Sequence, residues 1–490
     1  MSTNVAFISA EVSPYAKSGE LADFAGSLPK YLSNLGLKVS IFLPKYRRPE
    51  IDSLSMTKVA SQLYVPVGKK SAKTNIYKTD SGKHELYFVD NPKYFLRENI
   101  YGTGKGEYLD NDERFIYFNR AILEFIHKKK MHFDIIHCNN WPTALIPVFL
   151  KTHYAKKKHL NSAASILTLH NISYQGEFPA ETLALTGLNW DCFINEKSEF
   201  NGKVNFLKAG IMFSDVVNTV SHTYKKEILT KQRGCGLANI LKERKKTFFS
   251  IRNGIDHEIW NPETDPYIAK NYSRSEIEKK EENKLDLLKE FGDSLSPKSP
   301  AVGIASFLTP YKGFDILFSI MDKLMTMDMT LLILGKGDEQ LKNKISSFQK
   351  KHPKKIAAKF QMGPNLIHKI IAGSDIFLIP SLYEPCGLHQ LYCFRYGTVP
   401  VVRATGGLRE TVKPFNKKDR TGNGFIFEEY SPKALLNILK EVFNCYKNQN
   451  EWKQIMKAGM MEKFSMENSA KKYVKLYKKA LALKKGGNIE

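Results

Sequence analysis

The stretch SLYEPCGLHQLYCFRYGTVPVVRATGGLRETV, residues 381–412, holds two strand-to-helix turns in succession. The apolar run DIFLIPS (375–381) reads as a buried strand leading to Glu384 and a Pro-Cys-Gly turn, with a helix starting near Gly387 and Leu388. The first N–H groups of such a helix have no partner within it and point past the strand end. The run VPVVRA (399–404) repeats the arrangement, ending in Thr405, Gly406, Gly407 and Leu408 before a second helix. One glycine turn of this kind is ordinary loop chemistry. Two at equivalent strand ends point to a nucleotide-sugar site, with Glu384 bonding sugar hydroxyls and the helix starts receiving a diphosphate.

Working outward, short apolar runs recur with helix-length segments between them, the pattern of parallel sheets with helices on both faces. One series comprises VAFISA (5–10), VSIFLP (39–44), ELYFVD (85–90), FDIIHC (133–138), SILTLHN (165–171) and DVVNTVS (215–221). A second comprises AVGIASF (301–307), TLLILG (330–335), DIFLIPS, VPVVRA and GFIFEE (424–429). Residues 261–300, between the series, are charge-rich with prolines at both ends and read as a domain junction carrying one exposed helix. A chain of 490 residues exceeds one ordinary core. The expected fold is α/β: two doubly wound domains, residues 1–262 and 263–490, facing each other across a cleft, with ligands at the carboxyl ends of the strands.

Composition narrows the partners. The net charge is +24, but the lysines are dispersed and the densest runs lack the interleaved aromatic residues of single-strand binders, so no nucleic-acid partner is expected. No apolar run approaches the ~18 residues of a membrane span, and the chain enters its first strand without a secretory signal, so a cytoplasmic protein is expected. The six cysteines (138, 192, 235, 386, 393, 445) show no CxxC pair and no metal-ligand spacing, which fits reduced thiols. Cys386 reads as a small packed residue, since no histidine lies at an activating spacing.

The block EPCGLHQLYCFRYGTVPVVRATGGL resembles the corresponding block of bacterial glycogen synthases and plant starch synthases, retaining glycosyltransferases built from two Rossmann-like domains (the GT-B type). SAEVSPYAKSGELADFAGSLPKYL, FDIIHCNNWPTALIPVFLK, TLHNISYQG, TVSHTYKKEI, IRNGIDHEIWNPETD, YKGFDIL, LGKGDEQ and FSMENSAKKYVKLY resemble the family in the same order, over essentially the whole chain. The resemblance implies transfer of glucose from a nucleotide sugar, ADP-glucose favoured over UDP-glucose, to the non-reducing end of an α-1,4-glucan, with neither metal nor other cofactor. It also implies a last helix that packs back on the first domain. In the family pattern Lys17, Lys312 and an arginine five positions before Lys312 meet the diphosphate, whose charge such cations and helix dipoles must carry. The backbone of Gly19, Gly387, Leu388, Thr405, Gly406 and Gly407 lines the diphosphate. His170 and Glu384 approach the donor glucose, and Glu11, Asn171 and Asn253 line the sugar and acceptor region. Glu11 and Asp23 are read as site residues on position alone, the alternative being capping or salt-bridge carboxylates.

Three positions depart from the family pattern. Glu20 replaces the second glycine after Lys17, Phe307 occupies the arginine position, and the family's His-Asp-Trp is Asn139-Asn140-Trp141, so Asn140 replaces a carboxylate. A carboxylate ~5 Å from a phosphate repels it by about 3 kcal/mol at an effective dielectric near 20. Lys336, in LGKGD, is the candidate for replacing the missing positive charge. Two functions therefore stay open: an α-1,4-glucan synthase, and a catalytically impaired paralogue that binds glucan as a carrier or regulatory partner.

Overall fold

The structure, a computed structural model, describes residues 2–80, 82–103, 106–189 and 198–486; of the six cysteines, Cys192 lies outside them. The chain forms two compact units, Met1–Gly254 with Met466–Glu490, and Ile255–Ser465. The chain changes unit earlier than residue 262, because the segment after Gly254 is anchored in the second core. There Trp260 stacks on His368 and Tyr392 at centroid separations of 4.0 and 3.6 Å, and Asp265 Oδ2 lies 2.6 Å from His368 Nδ1.

The first unit holds a nine-stranded sheet of β1 (Asn4–Ile8), β2 (Lys38–Pro44), β3 (Thr57–Val67), β4 (Lys70–Asp80), β5 (Glu85–Asp90), β6 (Ile135–Asn139), β7 (Ala164–Leu169), β8 (Val216–Thr219) and β9 (Phe248–Ser250). Its order is β9-β8-β7-β6-β1-β2-β5-β4-β3, parallel from β9 to β5 and closed by the antiparallel β3–β4 hairpin. Strands β1, β6 and β7 are almost wholly buried, as a parallel sheet covered on both faces requires.

The second unit holds a six-stranded parallel sheet of β10 (Ala301–Leu308), β11 (Thr330–Gly337), β12 (Ile356–Lys359), β13 (Ile376–Ile379), β14 (Val399–Arg403) and β15 (Phe425–Phe427), in the order β12-β11-β10-β13-β14-β15. The direction of winding reverses between β10 and β13, so the loops leaving those two strands diverge. The equivalent point in the first unit lies between β1 and β6.

Among the helices are α1 (Glu20–Asn34), α2 (His389–Arg395), α3 (Gly406–Thr411) and α4 (Met466–Lys484). Although α4 ends the chain, it is part of the first unit and packs on α1 and β7. Its Tyr473 and Tyr477 are completely buried. Tyr477 Oη lies 2.8 Å from Nδ1 of His137, whose Nε2 lies 2.8 Å from Thr168 Oγ1. Tyr473 Oη accepts from Asn218 Nδ2 at 3.0 Å. The helix thus satisfies polar groups of β6 and β8 that no water reaches. Replacing Tyr473 by Ala removes an aromatic ring and leaves Asn218 short of a partner, a loss of about 3–5 kcal/mol. Calorimetry should find the transition of the first unit lowered by Tyr473→Ala and that of the second unchanged.

Candidate functional site

In the second unit the site grows from the point where the winding reverses. Lys312 ends a single 3-10 turn, Pro310–Lys312, that follows β10. Gly313 has φ +83°, and a Cβ there would stand 2.2 Å from the Pro380 carbonyl oxygen, so the lysine turn lies directly on the end of β13. From this position Lys312 Nζ donates to Glu384 Oε2 at 2.7 Å, and Ser381 Oγ donates to the same oxygen at 3.0 Å. Glu384 is only 5% exposed. The loop carrying it is clamped from β14, where Arg403 donates through Nε to Ser381 O at 2.7 Å and through Nη2 to Leu382 O.

The two glycine turns lie against each other, backbone on backbone. A Cβ on Gly406 would stand 1.9 Å from Glu384 O, and one on Gly407 would stand 1.8 Å from Cys386 O. The N–H of Gly407 is shared between the carbonyls of Glu384 and Pro385, each at 3.2 Å. The Gly407 N–H is thus bonded within the protein, and both glycines are required by the chain itself. Gly387 has φ +65°, and its carbonyl accepts from Gln390 Nε2 at 2.7 Å. Leu388 and Thr405 sit at the N-terminal caps of α2 and α3. Cys386, Cys138 and Cys393 are buried, Cys235 and Cys445 are more accessible, and no disulfide joins the cysteines among the described residues.

Phe307 stands at the end of β10, 40% exposed, in the position where the family resemblance implies an arginine. Its register partner on the adjacent strand is Lys336. Directly paired residues of parallel strands direct their side chains to the same face, so Lys336 borders the Phe307 position.

In the first unit, β1 is followed by a loop that turns back on itself. Glu11 is 4% exposed; its Oε2 accepts the N–H groups of Ser18 and Gly19 at 2.7 and 2.9 Å, and its Oε1 accepts Tyr101 Oη–H at 2.8 Å. Glu11 thereby anchors this loop, and the Gly19 N–H is bonded to that carboxylate. Asp23 accepts from Lys17 Nζ on both oxygens, at 2.6 and 2.8 Å, which is the salt-bridge alternative. Glu20 is the first residue of α1, where a carboxylate complements the helix dipole.

His170 follows β7. Its N–H donates to Asn140 Oδ1 at 2.7 Å, its Nε2 lies 3.0 Å from Asn139 Oδ1, and its ring meets Phe24 edge-on at 4.7 Å. Asn140 has φ +56°, a rare conformation for a residue with a side chain. Its amide oxygen performs an acceptor's task that a carboxylate at that position would also perform. Asn171 closes a turn by accepting Ser173 N–H at 3.0 Å. Asn253 is buried, and its Oδ1 has no hydrogen-bond partner among the described residues. Burial pushes His170 down to about 3 and His137 likewise to about 3, the latter helped by proximity to His170, so both rings are neutral.

Tyr101, Ser381, Gln390 and Arg403 organise these clusters and were not singled out from the sequence. Gln390 and Arg403 lie within residues 381–412, and an arginine closing an apolar strand is a signal in itself. Nothing local marks Tyr101.

Comparison with known proteins respects the same division. The family model described as starch synthase catalytic domain matches residues 4–243, and that described as glycosyl transferases group 1 matches residues 289–458. A glycogen synthase of Thermotoga petrophila is 43% identical, with 98% of this chain and 99% of the relative covered. One of Koribacter versatilis is 42% identical, covering 97% and 98%. The catalytic domain of starch synthase IV from Arabidopsis thaliana, solved bound to ADP and acarbose, superposes with a TM-score of 0.91 at 31% identity, covering 98% of this chain and 100% of that one.

The buried neutral histidines have a consequence for stability. With folded values near 3 against about 6.5 when unfolded, the unfolded chain binds protons that the folded unit cannot, so stability is lost as pH falls below ~6.5. The cost is about 1.4 kcal/mol per pH unit for each ring, or about 4 kcal/mol for the two at pH 5. Unfolding of the first unit followed from pH 7 to pH 5 should show this loss, and His137→Gln should remove about half of the pH dependence.

Proposed function

Because the chain belongs to the glycogen and starch synthase family of glycosyltransferases, we propose that it transfers glucose from ADP-glucose to the 4-hydroxyl at the non-reducing end of an α-1,4-glucan, with retention at the anomeric carbon. The observation that carries the reading is the Lys312–Glu384 pair at the winding reversal of β10 and β13, a cation and a carboxylate 2.7 Å apart on rigid strand ends. ADP is favoured as the nucleotide because the Arabidopsis relative was solved with ADP. The cytoplasm is the proposed location.

The chemistry derives from the charges. When the bond from the anomeric carbon to the diphosphate breaks, negative charge develops on the leaving oxygen, and a preorganised cation lowers that barrier. Lys312 exchanges Glu384 for the diphosphate, and Glu384, relieved of its partner, accepts hydroxyls of the glucose. Lys17 exchanges Asp23 in the same way. The acceptor hydroxyl attacks the face the diphosphate leaves, and its proton passes to the departing phosphate oxygen. Leu388 and Thr405 hold the helix starts toward the diphosphate, and the backbone of Gly387 and Gly406 lines it. His170 and Asn171 line the sugar, and Asn253 supplies a further polar contact there.

Of the three departures, two are accommodated: Glu20 serves a helix start, and Asn140 retains the acceptor that holds His170. Phe307 remains an uncompensated loss unless Lys336 reaches the diphosphate from the adjoining strand. The direct test is incorporation of labelled glucose into glycogen from ADP-glucose and from UDP-glucose. Incorporation from ADP-glucose is expected, and a preference for UDP-glucose would overturn the nucleotide assignment. Lys312→Ala and Glu384→Gln should each lower kcat/KM by about 100-fold or more, while Cys386→Ser leaves it near wild type. Phe307→Arg should tighten ADP binding by about tenfold, measured by calorimetry, with glucan affinity unchanged.

A further inference from the structure

We infer that Asn139 is a positioning residue that fixes the neutral His170 ring as the tautomer protonated on Nε2, which leaves Nδ1 as a hydrogen-bond acceptor for a sugar hydroxyl. The inference rests on the proposed placement of His170 at the donor glucose.

Asn139 ends β6 and is fully buried. Its backbone is held in place: its N–H donates to Thr143 Oγ1 at 2.6 Å, and the same hydroxyl donates back to its carbonyl at 2.9 Å. One end of its side-chain amide lies 3.0 Å from the carbonyl oxygen of Ile8, at the end of the neighbouring strand β1. A carbonyl can only accept, so the end facing Ile8 is the NH2 group, and the oxygen is thereby turned toward His170. That oxygen lies 3.0 Å from His170 Nε2 and can also only accept, so Nε2 carries the proton. A neutral imidazole has a single N–H, and burial keeps this ring neutral, so Nδ1 presents a bare lone pair.

The ring is also fixed in direction. Asn140 Oδ1 holds the His170 N–H at 2.7 Å, and Phe24 of α1 meets the ring edge-on. The titratable group in electrostatic contact with it is His137 on β6, itself neutral, whose Nδ1 lies against Tyr477 Oη of α4. At the start of α1, Asp23 and Lys17 are paired with each other. No neighbour among these competes with Asn139 for the Nε2 proton. An amide does not titrate, so the tautomer stays the same across the working pH range, whereas a carboxylate at position 139 would favour the imidazolium and turn Nδ1 into a donor.

The experiment uses the full chain with 15N-labelled histidine. Long-range 1H–15N spectra, with His170 assigned by its loss in His170→Gln, are recorded from about pH 5.5 to 8 and set beside kcat/KM for ADP-glucose and the affinity for ADP alone. Wild type should show a protonated Nε2 and a bare Nδ1 throughout. In Asn139→Asp, His170 should gain a second proton within that range, and kcat/KM should fall by about tenfold below the new midpoint and recover above it. ADP affinity should stay at the wild-type value, because ADP carries no glucose. A bare Nε2 in wild type would overturn the assignment, and this measurement stands even where Asn139→Asp fails to fold. An Asn139→Asp protein with a wild-type His170 spectrum would overturn it as well. A shifted His170 titration with an unchanged pH profile of transfer would overturn the sugar contact, and with it the placement of His170 at the glucose, while the tautomer stands.

Discussion

A parallel sheet covered on both faces leaves almost no room for charge along its strands, and both units are organised by that constraint. In β13 the residues Ile376–Ile379 are apolar, and the first polar groups, Ser381 and Glu384, come only where the strand has ended. In β6, Asn139 and Asn140 mark the strand end. Polar groups inside strands need dedicated partners: His137 lies inside β6 and needs both Tyr477 from the last helix and Thr168 from β7 to satisfy its ring. Polar chemistry therefore accumulates at the carboxyl ends of the strands, and winding reversal decides which ends meet.

Charges gathered in this way neutralise one another. Lys17 holds Asp23 and Lys312 holds Glu384, so neither lysine waits as a bare cation. The two pairs are not equivalent. The Lys17 side chain is 42% exposed, and water screens its pairing, whereas the Glu384 side chain is 6% exposed and would be left as a buried unpaired charge if Lys312 were lost. In the proposed reaction a diphosphate replaces one anion by another at the same lysine. There it would meet a cation already oriented and largely removed from water, which is the arrangement that lets electrostatics act on a developing charge.

The polar groups around His170 obey a different logic, in which uncharged amides specify orientation. Asn140 fixes the backbone of His170 and Asn139 its ring, and each does so through an oxygen that can only accept. The substitution of Asn for a carboxylate, read from the sequence as the loss of a charge, preserves the geometry on which the neighbouring imidazole depends.

The sequence by itself determined the fold class, because long apolar runs with helix-length spacers admit few arrangements other than buried parallel sheets, and it marked both turns of residues 381–412. It did not reveal the β3–β4 hairpin. That pair is lysine-rich and half exposed, with Leu63, Val65 and Val67 as its buried face on β3, so its apolar signal is too short to stand out. Only the tertiary structure decided what the glycines and carboxylates do. From the sequence, Gly406 and Gly407 read as room for a ligand; in the fold, the carbonyl oxygens of Glu384 and Cys386 occupy that room. Glu11 reads as a sugar ligand, yet Tyr101 and the N–H groups of Ser18 and Gly19 claim its oxygens. The physical reason is the same in each case: local sequence encodes periodicity and burial, whereas the partner of a hydrogen bond is set by strand order, which brings Asn139 beside Ile8 and Arg403 beside Ser381 from distant parts of the chain.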